Sequence, residues 1–282
     1  GARGLNGGGI NPSGATNSID YINISSTGNA LDFGDLTTTA FVNGACSSST
    51  RGLFAGGYTP GPSNVIAYVT ISSTGNAQDF GDTIGTDARR IAGCSSPTRG
   101  IFDGGHVPAV TNTIQYVTIA STGNAVDFGD ALVAGAEYAG CSSSTRGLFA
   151  AANPTGIDYI TIATLGNSLD FGSLAGVNNS FGACSNATRA LFAGGYYGNS
   201  INYVTIASTG NAQDFGDLTV TKQRTAGCSS STRGLFGGGG LTPSPSTNII
   251  DYITISSTGN AQDFGDLTVA RSLLGSCSNG HG

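Results

Sequence analysis

The sequence contains no methionine and no tryptophan, one lysine (Lys222), one glutamate (Glu137) and two histidines (His106 and His281). Charged residues make up 10% of its 282 positions, against roughly 25% in an average soluble protein. So little Lys and Glu deprives helices of their usual surface residues. No run approaches the roughly 18 apolar residues of a membrane-spanning helix, so no membrane insertion is expected, and no signal-peptide pattern opens the chain. The missing methionine implies a processed product or one part of a longer protein. The net charge of −6 excludes nucleic acid as an expected partner, because a phosphate backbone calls for a basic stripe.

Glycine is plentiful, at 46 residues, and Ser, Thr and Asn are abundant, which suits many short strands joined by tight turns. The strongest signal is a repeat of about 47 residues. It is marked by Cys46, Cys94, Cys141, Cys184, Cys228 and Cys277, and by Arg3, Arg51, Arg99, Arg146, Arg189 and Arg233. After each Arg comes a segment such as Leu53-Phe54-Ala55-Gly56-Gly57, then an alternating one such as Val65-Ile66-Ala67-Tyr68-Val69-Thr70-Ile71. Ser-Thr-Gly-Asn and Asp-Phe-Gly-Asp follow, and the cycle restarts.

Each repeat reads as four strands rich in Val, Ile, Tyr, Phe and Thr. Thr-Gly-Asn (Thr27-Gly28-Asn29, Thr74-Gly75-Asn76) is expected to form a hairpin turn between the third and fourth strands. Six four-stranded units predict an all-β, six-bladed β-propeller in one domain, 1–282. Its repeats run approximately 1–42, 43–90, 91–137, 138–180, 181–224 and 225–274. Residues 275–282 complete the first: an innermost strand at about 275–279 joins the strands of 3–36 and closes the ring, hiding the sheet edges.

The order of Arg, an apolar strand ending in Gly-Gly, a Tyr-containing strand and an aromatic strand resembles the kelch repeat over the whole chain. Phe33, Phe80, Phe128, Phe171, Phe215 and Phe264 stand where kelch units carry Trp.

Six equivalent cysteines are expected to be free, buried fillers without disulfides, and one thiol per blade assembles no metal site. The arginines, with Asp32, Asp79, Asp127, Asp170, Asp214 and Asp263, read as a structural ring of Arg–Asp pairs and turn-capping carboxylates. Calcium held by the Asp-x-x-Asp carboxylates is the sharper alternative. Neither His lies in a repeated element, and no Gly-x-Ser-x-Gly elbow or His-Glu-x-x-His helix is present. The chain is therefore not expected to be an enzyme or to carry a cofactor.

Compared among themselves, the repeats keep their first-to-second and third-to-fourth turns almost constant. The segments at the opposite end vary, and they hold Tyr58, Arg89, Arg90, His106, Tyr138, Tyr196, Tyr197, Lys222 and Arg224, the candidate ligand-binding residues. A uniform scaffold displaying variable loops at one end reads as a binding surface. The consensus Cys-Ser-Ser-Ser-Thr-Arg-Gly-Leu-Phe-Ala-Gly-Gly and Ser-Thr-Gly-Asn-Ala-x-Asp-Phe-Gly-Asp is similar to repeats in tail-fibre and structural virion proteins of marine tailed bacteriophages. That resemblance implies a virion location, other virion proteins as partners, and a host-surface glycan or protein as ligand. The alternatives are an architectural decoration or connector of the virion, and a microbial cell-surface adhesin.

Overall fold

Apolar residues of both parities along one strand require burial on both faces, and a ring of blades supplies it. In a computed structural model that describes residues 2–41, 43–58, 60–85, 88–107, 109–135, 139–150, 156–175, 180–196, 198–240 and 246–280, the chain is a six-bladed β-propeller. Among the described residues there is no helix. Each blade is an antiparallel sheet of four strands, innermost to outer. Blade 2, for example, consists of Gly44–Ser47, Arg51–Ala55, Val65–Thr70 and Gln78–Asp82. Blade 3 adds a short strand, His106–Val107, and its outer pair lengthens to Ala109–Thr118 and Val126–Gly135.

The ring closes between the chain ends. Gly275–Ser278 is the innermost strand of blade 1 and pairs antiparallel with Arg3–Gly7, Leu5 opposite Cys277. The core lies between blades. Leu53, Ala55, Ile66 and Phe80 of blade 2 pack on Phe102, Val117 and Ile119 of blade 3. Phe54, Val69 and Ile71 face the other way, onto Leu5, Ile19 and Phe33 of blade 1. All six thiols are free and buried. Each faces the next blade, where five of the six Arg positions are followed by Gly: a Cβ on Gly52 would sit 2.9 Å from Cys277 Sγ.

Three sixfold contacts hold the blades in register. At the axis, each inner-strand serine donates its hydroxyl to the carbonyl of the preceding one, as Ser47 does to Ser278 at 2.7 Å and Ser278 to Ser229 at 2.6 Å. With Ser95, Ser142 and Ser185 they form a closed hydrogen-bonded circle. Farther out, each repeated arginine lies over the tyrosine of its own blade, Arg51 Cζ being 4.7 Å from the Tyr68 ring centre. Its Nη1 donates to a carbonyl of the next blade, Ile119 at 3.0 Å.

At the rim, the Gly and Ala flanking Asn76 donate to the carbonyls of Phe33 and Asp35 in the preceding blade. Asn76 Oδ1 accepts from the Asp35 amide at 3.1 Å. The Thr-Gly-Asn segment lies, as expected, in the connection between the antiparallel third and fourth strands, just after a tight turn in which Ser73 N donates to Thr70 O. It is also a clip onto the neighbouring blade, because the edge of that outer strand bends at a bulge, with Ile19 opposite Gly34 but Asp20 opposite Asp32. Where Arg–Asp pairs are expected, Asp32, Asp79, Asp127, Asp170, Asp214 and Asp263 are exposed on the outer strands. Among the described residues no repeated arginine pairs with them. The guanidinium is taken up by the tyrosine face and the carbonyl.

Candidate functional site

The serine circle narrows the axis at the end carrying the constant turns. At the other end the axis widens into a funnel of about 730 Å³, counted out to its open mouth. Its floor is the ring of small residues Ala45, Gly93, Gly140, Ala183, Gly227 and Ser276. Its wall begins four residues before Cys94, Cys184, Cys228 and Cys277, at the link from one blade to the next.

At that position Arg90, Ser180, Arg224 and Leu273 have φ of 61°, 61°, 59° and 60°. Non-glycine residues rarely adopt the left-handed conformation, and its cost must be over-ruled by the surroundings. Here a chain of backbone bonds does so: Arg224 N donates to Ser180 O at 2.5 Å, and Leu273 N to Arg224 O at 3.1 Å. The backbone is constant while the side chain is not. Arg90 and Arg224 enter blades 3 and 6, which are opposite each other in the ring, so two guanidinium-bearing positions face across the mouth.

The next residue in these four links turns back into the wall. Ile91, Phe181 and Leu274 join the interblade cores, and Thr225 donates its hydroxyl to Gly237 O. Asn43 occupies the same place before blade 2. It is 7% exposed and lines the funnel, yet neither its Nδ2 nor its Oδ1 has a hydrogen-bond partner. A buried amide left unpaired costs stability, so Asn43 is an unsatisfied donor and acceptor set into the funnel wall. Arg224 Nε is likewise buried without a partner.

The sequence-predicted residues separate into groups. Tyr58, Arg89 and His106 come together outside the funnel: Arg89 Cζ lies 5.2 Å over the Tyr58 ring, and Arg89 Nη2 is 3.4 Å from His106 Nδ1. Tyr58 also packs edge-on against Phe41 at 5.7 Å. Arg90 and Arg224 line the funnel. Tyr196 is exposed on blade 5, while Tyr138 and Tyr197 lie outside the described residues.

Lys222 is not on the binding surface. Its Nζ is fully buried, 2.9 Å from Asp251 Oδ2, and donates to the carbonyls of Phe236 and Ile249. A lone ammonium at that depth requires such partners. Asn43, Ser180 and Leu273 are wall residues that sequence reasoning passes over, and their signal is variation at a fixed distance before cysteine.

Burial pushes every thiol up, Cys228 to about 12, so none is a nucleophile at neutral pH. Among the described residues, no three or more His, Cys, Asp or Glu side chains converge. The fold and its one-ended funnel define a repeat-built β-propeller. No protein-family model matches the chain, and no curated protein is similar to it.

Proposed function

We propose that this propeller is a non-enzymatic binding module, a structural or appendage component of a virion, that recognises a host-surface glycan through the funnel end. The observation that carries this reading is the wall position where one constrained backbone presents Arg90, Ser180, Arg224 and Leu273, beside the unpaired amide of Asn43. A carboxamide offers both donors and acceptors to sugar hydroxyls, and guanidinium groups suit carboxylate or sulfate substituents. The virion setting is supported by the resemblance of the Cys-to-Gly-Gly and Ser-Thr-Gly-Asn-to-Asp consensus to tailed-phage repeats. Low charge fits a particle exposed to high salt, where surface ion pairs are screened.

The test is a glycan array, together with envelope fractions of marine bacteria, probed with the whole chain in seawater-strength salt. Binding that drops at least tenfold in Asn43→Ala and in Arg224→Ala, with unchanged melting temperature, supports the reading. Binding that survives both variants sinks it. A second reading, an architectural connector held by a neighbouring virion protein, is favoured by the exposed Val110 and Leu132 on the lengthened hairpin of blade 3. It predicts that loss of partner binding follows Val110→Ser and Leu132→Ser instead.

A further inference from the structure

The blade junctions differ at one buried point. On the third strand, the residue just before the repeated tyrosine faces the preceding blade: Asp20, Ala67, Gln115, Asp158, Asn202 and Asp251 in blades 1 to 6. Opposite it stands the link residue whose carbonyl accepts from the second glycine of the preceding blade's Gly-Gly or equivalent pair. Gly9, Gly57, Gly105, Gly195 and Gly239 donate to Ala40, Ala88, Gly135, Lys222 and Arg271. Neutral Ala67 and Gln115 face Ala40 and Ala88. Asp251 faces Lys222, and Asp20 faces Arg271.

The two basic residues use one cradle. Lys222 Nζ contacts Phe236 O at 2.9 Å, Ile249 O at 3.2 Å and Asp251 at 2.9 Å. Arg271 contacts Asn6 O at 3.1 Å, Ser18 O at 2.9 Å and Asp20 at 2.9 Å. The registers match, with Phe236 opposite Asp251 and Asn6 opposite Asp20.

Blade 4 repeats the cradle without the cation. Phe149 stands opposite Asp158, and Gly156 lies two residues before Asp158, as Ile249 and Ser18 do before their aspartates. The link residue, however, is Gly135. Instead of a base, the preceding blade contributes a second acid: Asp103 replaces the Ala or Gly found at this site in the other blades (Gly7, Ala55, Ala150, Ala193, Gly237). Asp103 is 1% exposed and its Oδ1 has no hydrogen-bond partner. Burial, and then the charge of Asp158, push its carboxyl well above the ordinary range. Asp158 Oδ2 accepts from Leu132 N and Ser168 Oγ.

We propose that a calcium ion sits at the junction of blades 3 and 4, held by the carboxylates of Asp103 and Asp158 and the carbonyls of Phe149 and Gly156. It takes the place that Lys222 and Arg271 fill at the junctions of blades 5 and 6 and of blades 6 and 1. An all-oxygen donor set selects a hard cation, and two carboxylates select a divalent one. Carbonyls fixed by sheet geometry suit the tolerant coordination of Ca²⁺ better than the strict octahedron of Mg²⁺. The inference is independent of the glycan reading.

The test uses the full chain, stripped with chelator and titrated with CaCl2 by calorimetry, and melted in CaCl2, MgCl2 or NaCl at equal ionic strength. One calcium per chain is expected, with a melting temperature several degrees higher in excess CaCl2 and little response to the other salts. Asp103→Ala restores the residue that blades 2, 4 and 5 use, so it folds, and it should lose the calcium response. Gly135→Lys, which supplies the base internally, should melt higher in chelator and no longer respond to calcium. No calcium heat in the wild type overturns the site, above all if stability instead rises on acidification, as for a carboxyl pair holding a proton. A calcium response that persists in both variants overturns it as well.

Discussion

Lys222 Nζ lies 2.9 Å from Asp251 Oδ2, with both side chains fully buried between blades 5 and 6. The pair ties the link entering blade 6 to that blade's third strand. Breaking it leaves one uncompensated charge in the interior. Lys222→Ala should therefore destabilise the chain by about 3–5 kcal/mol. Adding Asp251→Ala should recover most of that loss, because the junction of blades 1 and 2 uses Ala40 and Ala67 at the same two places. Urea unfolding of the two singles and the double measures the coupling. Strictly additive losses would contradict this account.

The rim clip separates hydrogen bonding from close approach. Asn76→Ala removes one bond to the Asp35 amide and should cost about 1 kcal/mol. Gly34→Ala should cost several times more. Its φ is 143°, and a Cβ would lie 2.5 Å from Gly75 O in the next blade. Equal effects would show that the backbone approach is not what fixes the clip.

The thiols predict a pH dependence. Burial raises each above the ordinary value of 9.0, Cys228 to about 12. The unfolded chain therefore ionises first, and the contribution is complete below pH 9 and lost as pH rises toward the folded value. Each buried thiol removes about 1.4 kcal/mol per pH unit across that window. Stability should thus fall more gently above pH 9 in Cys228→Ala than in the wild type. Iodoacetamide should leave the native thiols unmodified and label them once the chain is unfolded in urea.

Ring closure predicts a global effect from a short truncation. Deleting residues 275–282 removes the innermost strand of blade 1 and opens the serine circle at Ser278. Cooperative unfolding should be lost across the chain, seen as a broadened and lowered thermal transition or as association through exposed strand edges. A monomer with the wild-type melting temperature would refute the closure.

The blade count, four strands per blade and the closing strand could all be read from the sequence, because a sixfold repeat samples the same physical problem six times and local noise averages out. The burial of Leu53 and Phe54 on opposite faces likewise follows from alternation, since each blade is covered on both sides. Contacts between repeats were not legible in the same way. Ser47 looks like any turn-proximal serine until the ring brings Ser278 and Ser95 beside it, and Asn76 is a turn former by composition and, only through the ring, a clip as well. Arg51 carries a charge that suggests Asp79, yet the outer strand turns Asp79 to solvent and leaves the Tyr68 face as its partner.

The candidate site divides along the same line. That one end of the propeller varies is a property of the sequence. Which of its residues face the axis depends on the turn of each link: the left-handed step sets Arg90 and Arg224 on the funnel wall, while two residues earlier Lys222 passes into the interior. Polar residue type alone cannot separate these outcomes. A lysine is stable in water or in a cradle of carbonyls and a carboxylate, and only the packed neighbours decide which it meets.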